Sequence, residues 1–258
     1  MAINLKSDQQ IEEMYAAGQI VAEVLSSLSE MAKPGVSTGQ LDEEAQRLCA
    51  KRGAQCLFKG YNVGFGIPPF PGAICASINE EVVHGIPRND RYLQDGDIIS
   101  VDFGVKLDGW CGDAARTFMV GNVDPKVQKL VAATKRCYEI AEEMIPECES
   151  WLPIASEMAN FIKNEGFSVV TQYVGHGIGK KMHEDPQIPN FVSQDLRRRD
   201  IKLRPGLVIA VEPMVNIGTH NCRTLKDKWT VVTNDGKHSA HWENTIAITS
   251  KGVRILTK

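Results

Sequence analysis

Four stretches that read as β-strands each carry a carboxylate where the pattern calls for an apolar or neutral side chain. In DIISVDFGV, Asp102 lies between Val101 and Phe103; in WCGDAARTFMV, Asp113 comes early in the next strand. LVIAVEPMV puts Glu212 inside the most apolar run of the chain, and in SAHWENTIAIT, Glu243 precedes a further apolar strand. Aspartate is depleted in strands, and an ionised carboxylate buried alone either shifts its pKa upward or finds a cation. Leu107-Asp108-Gly109 is a hairpin signal, and folding the chain there sets positions 102 and 113 near one another on paired strands. Solvated edge residues would also explain the two aspartates, and a buried salt bridge to Arg or Lys would explain Glu243.

The segment VGHGIGKKMHEDP places His176 between two glycines, which permit close backbone approach and leave the imidazole accessible, with His183 further along. A lone histidine is more often a satisfied core or surface residue than a ligand, but the glycines and the nearby carboxylates reverse that weighting. His84, in VVHGIPRND, reads in isolation as a loop residue. Asp102, Asp113, His176, Glu212 and Glu243 form a hard, oxygen-rich set that suits two divalent cations better than one tetrahedral zinc. Four negative groups in one small volume cannot all stay ionised without compensation, whereas two dications cancel the charge and share bridging oxygens. A site of that kind makes hydroxide from water near neutral pH.

The rest of the chain supplies a frame. Ser7 with Gln10 and Ser37 with Gln40 are capping boxes; they open a long amphipathic helix that runs to Pro34-Gly35 and a shorter one that stops at Gly53. Residues 60–72, crowded with Gly, Pro and aromatics, read as a loop. β-Rich runs follow at 74–78, 97–106, 110–120, 168–174, 207–217, 228–233 and 245–249, interrupted by helices from Asp124 to Ile145 and from Ile154 to Asn164. This order predicts an α+β layer structure and not an alternating βαβ chain. With no Ser-, Gly- or Pro-rich linker, one domain over 1–258 is expected, and helices followed by acid-bearing strands recur on either side of residue 120 as a faint duplication.

Charge and cysteine usage bound the partners. Lys and Arg number 29 against 32 Asp and Glu, a net charge of −3, which gives no broad attraction to nucleic acid or anionic lipid. Arg197-Arg198-Arg199 reads as a solvated loop charge run, with transient ribosome contact as the minor reading. The start, MAINLKSDQQIEEMY, lacks the apolar stretch of a signal peptide, and the aliphatic run at 207–211 is too short to span a bilayer, so a cytoplasmic protein with no membrane partner is expected. Seven cysteines without a C-x-x-C pair point to reduced thiols in packing roles.

Taken in order, INEEVVHGIP, the Asp102/Asp113 hairpin, GHGIG with the later MHEDP, the AVEPM strand, DKWTVVT and the final E-x-T strand resemble the type I bacterial methionine aminopeptidases of peptidase family M24, over nearly the whole chain. The resemblance implies the pita-bread fold, an antiparallel sheet in two pseudo-symmetric halves with helices on its outer face, as a single catalytic metallopeptidase domain. It implies a hydrolase that removes the N-terminal methionine from nascent proteins and peptides with a small second residue; a monomer is expected, although no feature of the sequence reads out oligomeric state. Two divalent cations are implied, their identity open among Co, Mn, Fe, Zn and Ni. By the same resemblance Asp102 chelates one metal, His176 and Glu212 hold the other, and Asp113 and Glu243 bridge them. Glu212 is also implied as the proton carrier, with His84 and His183 near the scissile bond supporting the oxyanion. Phe70, Cys75, Met182 and Trp229 occupy the motif positions of the methionine pocket, where plain core packing is the competing explanation.

Two features depart from the family. VGFGIPP, between Tyr61-Asn62 and Phe70-Pro71, lengthens a connection at the pocket rim. His241, Trp242 and Asn244 stand where the family commonly has Gln, another aromatic and His; no metal ligand is lost. The nearest rivals, prolidase and aminopeptidase P, usually carry an additional N-terminal domain for which this chain has no room. A non-catalytic peptide-binding scaffold is the alternative from another class, and retention of the whole ligand set counts against it.

Overall fold

Ser7 and Ser37 each accept a hydrogen bond from the backbone N–H three residues on, while Gln10 and Gln40 reach back to the caps. These boxes open α1 (Asp8–Met31) and α2 (Thr38–Lys51). The computed structural model describes residues 3–258. The helices are followed by β1 (Gln55–Cys56), β2 (Cys75–Ile78), β3 (Glu81–Val83), β4 (Ile98–Leu107) and β5 (Trp110–Met119). Then come α3 (Pro125–Met144), α4 (Trp151–Asn164), β6 (Ser168–Val169), β7 (Gly175–Gly177), β8 (Glu184–Ile188), α5 (Gln194–Arg198), β9 (Val208–Val211) and β10 (Met214–Asn216). The chain closes with β11 (Cys222–Thr224), β12 (Val231–Thr233), β13 (Ser239–His241), β14 (Asn244–Thr249) and β15 (Gly252–Ile255).

Strand pairing is antiparallel. β1, β4 and β2 lie side by side with β5 also on β4, and β15-β14-β9-β7-β8 form a second sheet. In the first half, Leu25, Leu28 and Leu41 of α1 and α2 pack on Ile99, Val101 and Phe103 of β4. In the second, Trp151, Ile154 and Met158 of α4 and Leu130 of α3 pack on Ile209, Val211 and Ile246. Each half is thus a helix pair buried against antiparallel strands, as the recurrence in the sequence suggested, and apolar burial is the main force holding each together. Among the described residues, no helix is long and apolar enough to cross a membrane.

Several boundaries differ from expectation for identifiable reasons. The 207–217 run is two strands, because Pro213 has no N–H for the ladder and the chain breaks at Glu212-Pro213. Only Ser168–Val169 of the 168–174 run pairs. α4 begins at Trp151 and not Ile154, since Pro153 falls in the first turn, where a missing N–H costs no helical bond. Arg197 and Arg198 lie in the last turn of α5, capped by Ser193, and not in a loop; Leu196 anchors that turn in the core. The 175–188 segment, without a readable period, supplies β7 and β8. A Cβ on Gly175 would lie 2.3 Å from the Ala210 carbonyl oxygen, and one on Gly177 2.3 Å from that of Asp185, so only glycine permits this strand between its neighbours.

Candidate active site

The β4–β5 hairpin turns through Asp108 (φ 48°) and Gly109 (φ 88°), with Leu107 opposite Trp110, the two-residue turn expected from the sequence. Asp102 faces Ala115 and Gly104 faces Asp113, so the two aspartates are diagonal neighbours on one face. Thr245 then fixes Asp113: the Asp113 N–H donates to Thr245 Oγ1 (3.1 Å), whose hydroxyl donates to the Asp113 carbonyl (2.8 Å). The Glu243 N–H donates to the Ala115 carbonyl (2.9 Å), and Asn190 Nδ2 donates to the Glu212 carbonyl (3.0 Å). Every carboxylate is therefore held through its backbone, leaving the side-chain oxygens to the interior.

His176 completes the group from β7. Its Nδ1 lies 2.9 Å from the Gly177 carbonyl oxygen, which places the ring proton there and turns the Nε2 lone pair inward. Nε2 stands 3.6 Å from Glu212 Oε1 and 3.9 Å from Asp113 Oδ2. The ligand atoms of Asp113, His176 and Glu243 lie within 4.8 Å of one another, and so do those of Glu212, His241 and Glu243. Burial, then the charge of Asp113, holds Asp102 well above the usual carboxylate range; burial, then the charges of Asp102 and Asp113, does the same for Glu212. Burial, followed by the charges of Asp113 and Glu212, lifts Glu243, and burial brings Asp113 to about 7.

Neither alternative explanation of these carboxylates holds. Asp113 is 3% exposed and Asp102, though half-buried, has its Oδ1 shut off from solvent, so neither is a solvated edge residue. Among the described residues, none of the four is paired with Lys or Arg. The guanidinium that comes near, Arg116, donates instead to the main-chain oxygens of Ala115 and Glu243 and to Asn244 Oδ1. Asp102 Oδ1, Asp113 Oδ1 and Glu243 Oε1 are buried with no hydrogen-bond partner among the described residues. Orphaned carboxylate oxygens beside an inward imidazole lone pair fit a divalent cation.

The nest forms part of the lining of a cavity of about 850 Å³, which His84, His183 and the four pocket residues also line. Phe70, Cys75, Met182 and Trp229 cluster with Phe58 on its apolar side, Phe70 meeting Trp229 edge-on at 5.3 Å. His84 sits at φ 59°, a left-handed backbone uncommon for a histidine, with its ring edge-on to Tyr173 and Trp229. Burial pushes His84 and His176 down to about 4, so both rings are neutral at pH 7. His183 packs 4.5 Å from the His176 ring, its Nδ1 3.1 Å from the Tyr61 hydroxyl. The VGFGIPP stretch reaches the same cavity: Val63 lines it, Trp229 Nε1 donates to the Pro68 carbonyl (2.8 Å), and Phe65 stands 99% exposed beyond it.

Tyr61, Tyr173 and His241 escaped the sequence reading as site residues. Tyr61 comes from a stretch read as a loop, and Tyr173 lies in the 168–174 run beyond the two residues that form a strand. His241 did carry a signal, since strand alternation puts it on the same face as Glu243 two residues later. Its Nε2 lies 3.8 Å from Glu212 Oε2 and 3.8 Å from Glu243 Oε2.

Residues 12–250 match the pattern of metallopeptidase family M24. The chain belongs to that family. This M24 metallopeptidase, a hydrolase, is 46% identical to the methionine aminopeptidase of Clostridium acetobutylicum, covering 99% of this chain and 98% of that one. It is 47% identical to methionine aminopeptidase 1 of Bacillus subtilis, over 98% of each chain. The crystal structure of the methionine aminopeptidase of Thermotoga maritima superposes with a TM-score of 0.93 at 37% identity, covering 100% of both chains. The fold is accordingly the pita-bread arrangement. A prolidase from Pyrococcus horikoshii shares that fold at a TM-score of 0.74 and 20% identity, but this chain spans 63% of its length.

Proposed function

We propose that the enzyme hydrolyses the N-terminal methionine from peptides and nascent proteins whose second residue is small. In this reading Asp102, Asp113, His176, Glu212 and Glu243 are the residues that would hold two divalent cations. One observation carries it: four carboxylates, Asp113 and Glu243 buried and Asp102 and Glu212 half-buried, have no Lys or Arg counter-ion among the described residues and converge on an imidazole nitrogen whose lone pair points inward. The methionine aminopeptidases to which the chain is similar support the choice of substrate.

Bound there, divalent cations would lower the pKa of water towards 7 and polarise the scissile carbonyl. Glu212, its Oε1 3.6 Å from His176 Nε2 at the cavity wall, takes one proton from the attacking water and returns it to the leaving amine. His84 and His183 stand over the reacting bond as neutral hydrogen-bonding groups that orient the amide and support its developing negative oxygen. Phe70, Cys75, Met182 and Trp229 keep water from the methionine side chain and offer its sulfur polarisable and aromatic contacts. The expected setting is the cytoplasm, with one catalytic domain acting as a monomer, and the exposed arginines of α5 are its candidate for transient ribosome contact.

Chelator-treated protein with Mn²⁺, Co²⁺ or Fe²⁺ added back, assayed on a Met-Ala-x and an x-Pro peptide, tests this. Metal-dependent release of methionine from Met-Ala-x is expected. Cleavage only of the x-Pro peptide, or no metal-dependent turnover, would overturn the reading.

A further inference from the structure

His241 is bound through its backbone on both sides: its N–H donates to Thr117 Oγ1 (2.9 Å), and the Thr117 hydroxyl donates to its carbonyl (2.8 Å). In β13 it pairs with Met214 of β10, two residues past Glu212, and the Trp242 N–H donates to the Pro213 carbonyl (3.2 Å). The two strand ends that carry Glu212 and Glu243 are thereby laced together, and the His241 ring is delivered between their carboxylates. The ring is 2% exposed, and its Nε2 has no hydrogen-bond partner among the described residues. A buried, unpartnered nitrogen in so well-paired a strand calls for an explanation.

Glu212 divides its two oxygens between two imidazoles. Oε1 faces His176 Nε2 at 3.6 Å, and Oε2 faces His241 Nε2 at 3.8 Å. The rings are not equivalent. His176 has its proton fixed on Nδ1 by the Gly177 carbonyl and presents a lone pair. At His241, a proton on Nδ1 would leave a lone pair facing carboxylate oxygens of both Glu212 and Glu243, whereas a proton on Nε2 offers them a donor. The separation exceeds an N–H···O bond of about 2.9 Å by a distance that rotation of a carboxylate can close.

We propose that His241 is a positioning residue for Glu212: its Nε2–H holds Oε2 and so keeps Oε1 turned to His176 and the cavity. The proposal rests on the metallopeptidase reading and extends it by naming what fixes the rotation of the proton-carrying carboxylate. His241 does not line the cavity, so it acts through Glu212.

The test uses His241→Leu, which removes the donor, and His241→Gln, whose amide N–H can serve the same oxygen. Mn²⁺ is titrated into each metal-free protein, and kcat and KM are measured separately on a Met-Ala-x peptide. His241→Leu should weaken Mn²⁺ binding and lower kcat, each by about 10–100-fold, with KM nearly unchanged. His241→Gln should restore most of both. Wild-type Mn²⁺ affinity and kcat in the Leu variant, or a Gln variant that falls as far as Leu, overturns the assignment. Melting of the metal-free proteins monitors the fold, and His241→Met, apolar and of similar reach, replaces Leu if that variant does not fold. Absence of Mn²⁺ binding by the wild type would instead sink the metallopeptidase reading itself, so the two failures are distinct.

Discussion

Asp42 and Glu81 are nearly as deeply buried as Asp113 and Glu243, at 8% and 5% exposure against 3% and 2%. Burial raises the pKa of both sets, so neither depth nor a shifted pKa separates them. Partners do. Asp42 accepts from the N–H groups of Ala73 (2.6 Å) and Ile74 (3.0 Å) and from Gln46 Nε2 (2.6 Å), fastening α2 to the segment before β2. Glu81 binds Arg91 (2.6 Å) and the Ile78 N–H (2.9 Å) across the tight β2–β3 turn. In the nest, by contrast, oxygens lie orphaned and the neighbouring charges are of the same sign. A buried acid with a full set of donors is structural cement, and one left unpaired among its like is a place prepared for something else.

Glu212→Gln should produce the largest effect. Turnover of a Met-Ala-x peptide should fall on the order of 10²- to 10⁴-fold, the usual share of a general acid–base group. The same change should raise the melting temperature of the metal-free protein at neutral pH, because a neutral amide needs no proton taken up on folding. Near-normal turnover would strip Glu212 of its role. His84→Ala should lower kcat on the order of 10²-fold while leaving Mn²⁺ binding intact, whereas Asp113→Asn should lose bound Mn²⁺. Equal metal loss in both would mean that His84 belongs to the nest and not to the substrate side.

Asp42→Ala should act in the opposite sense from Glu212→Gln, destabilising the fold by about 1–3 kcal/mol for each buried N–H left without an acceptor. Denaturant unfolding would measure this, and Mn²⁺ affinity should not move. A loss of metal with that variant would dissolve the distinction between the two kinds of buried acid.

The smallest effect is a slope with pH in the metal-free protein. Folded Asp102, Asp113, Glu212 and Glu243 keep protons that the unfolded chain releases near pH 4. The stability they contribute is full below that pH and lost as pH rises through their raised values, about 7 for Asp113. His84 and His176, lowered to about 4, and His241, to about 3, work the other way: their contribution is present above 6.5 and lost on acidification. Between about pH 6.5 and pH 8 the carboxyl effect dominates, so the melting temperature should fall as pH rises across that window. Saturating Mn²⁺ should flatten the slope; a flat profile without metal would show that the nest is not under charge strain.

Much of this was legible because carboxylates break a strand pattern conspicuously. Asp102 and Glu212 are visible against Val and Ile neighbours, and the Asp108-Gly109 turn sets the register that aligns two of the acids. Helix caps were equally plain, since Ser with Gln three residues on describes a local bond. The 175–188 region was not, because its order comes from β9 and the close approach of Gly175 and Gly177 to other strands. His241 shows the other limit: its residue type and face could be read, but that its ring meets Glu212 depends on β10 and β13 pairing across distant sequence.

Thr245 and Asp113, locked by reciprocal hydrogen bonds, lie 132 residues apart. The β4–β5 hairpin brings the two aspartates together through a local turn, whereas Glu212 and Glu243 arrive only when the later strands dock. On a chain emerging from synthesis N-terminus first, mutual repulsion is therefore deferred until both helix-backed layers have condensed. Ion loading then becomes an act of maturation performed on a finished scaffold, and the scaffold must be strong enough to wait for it.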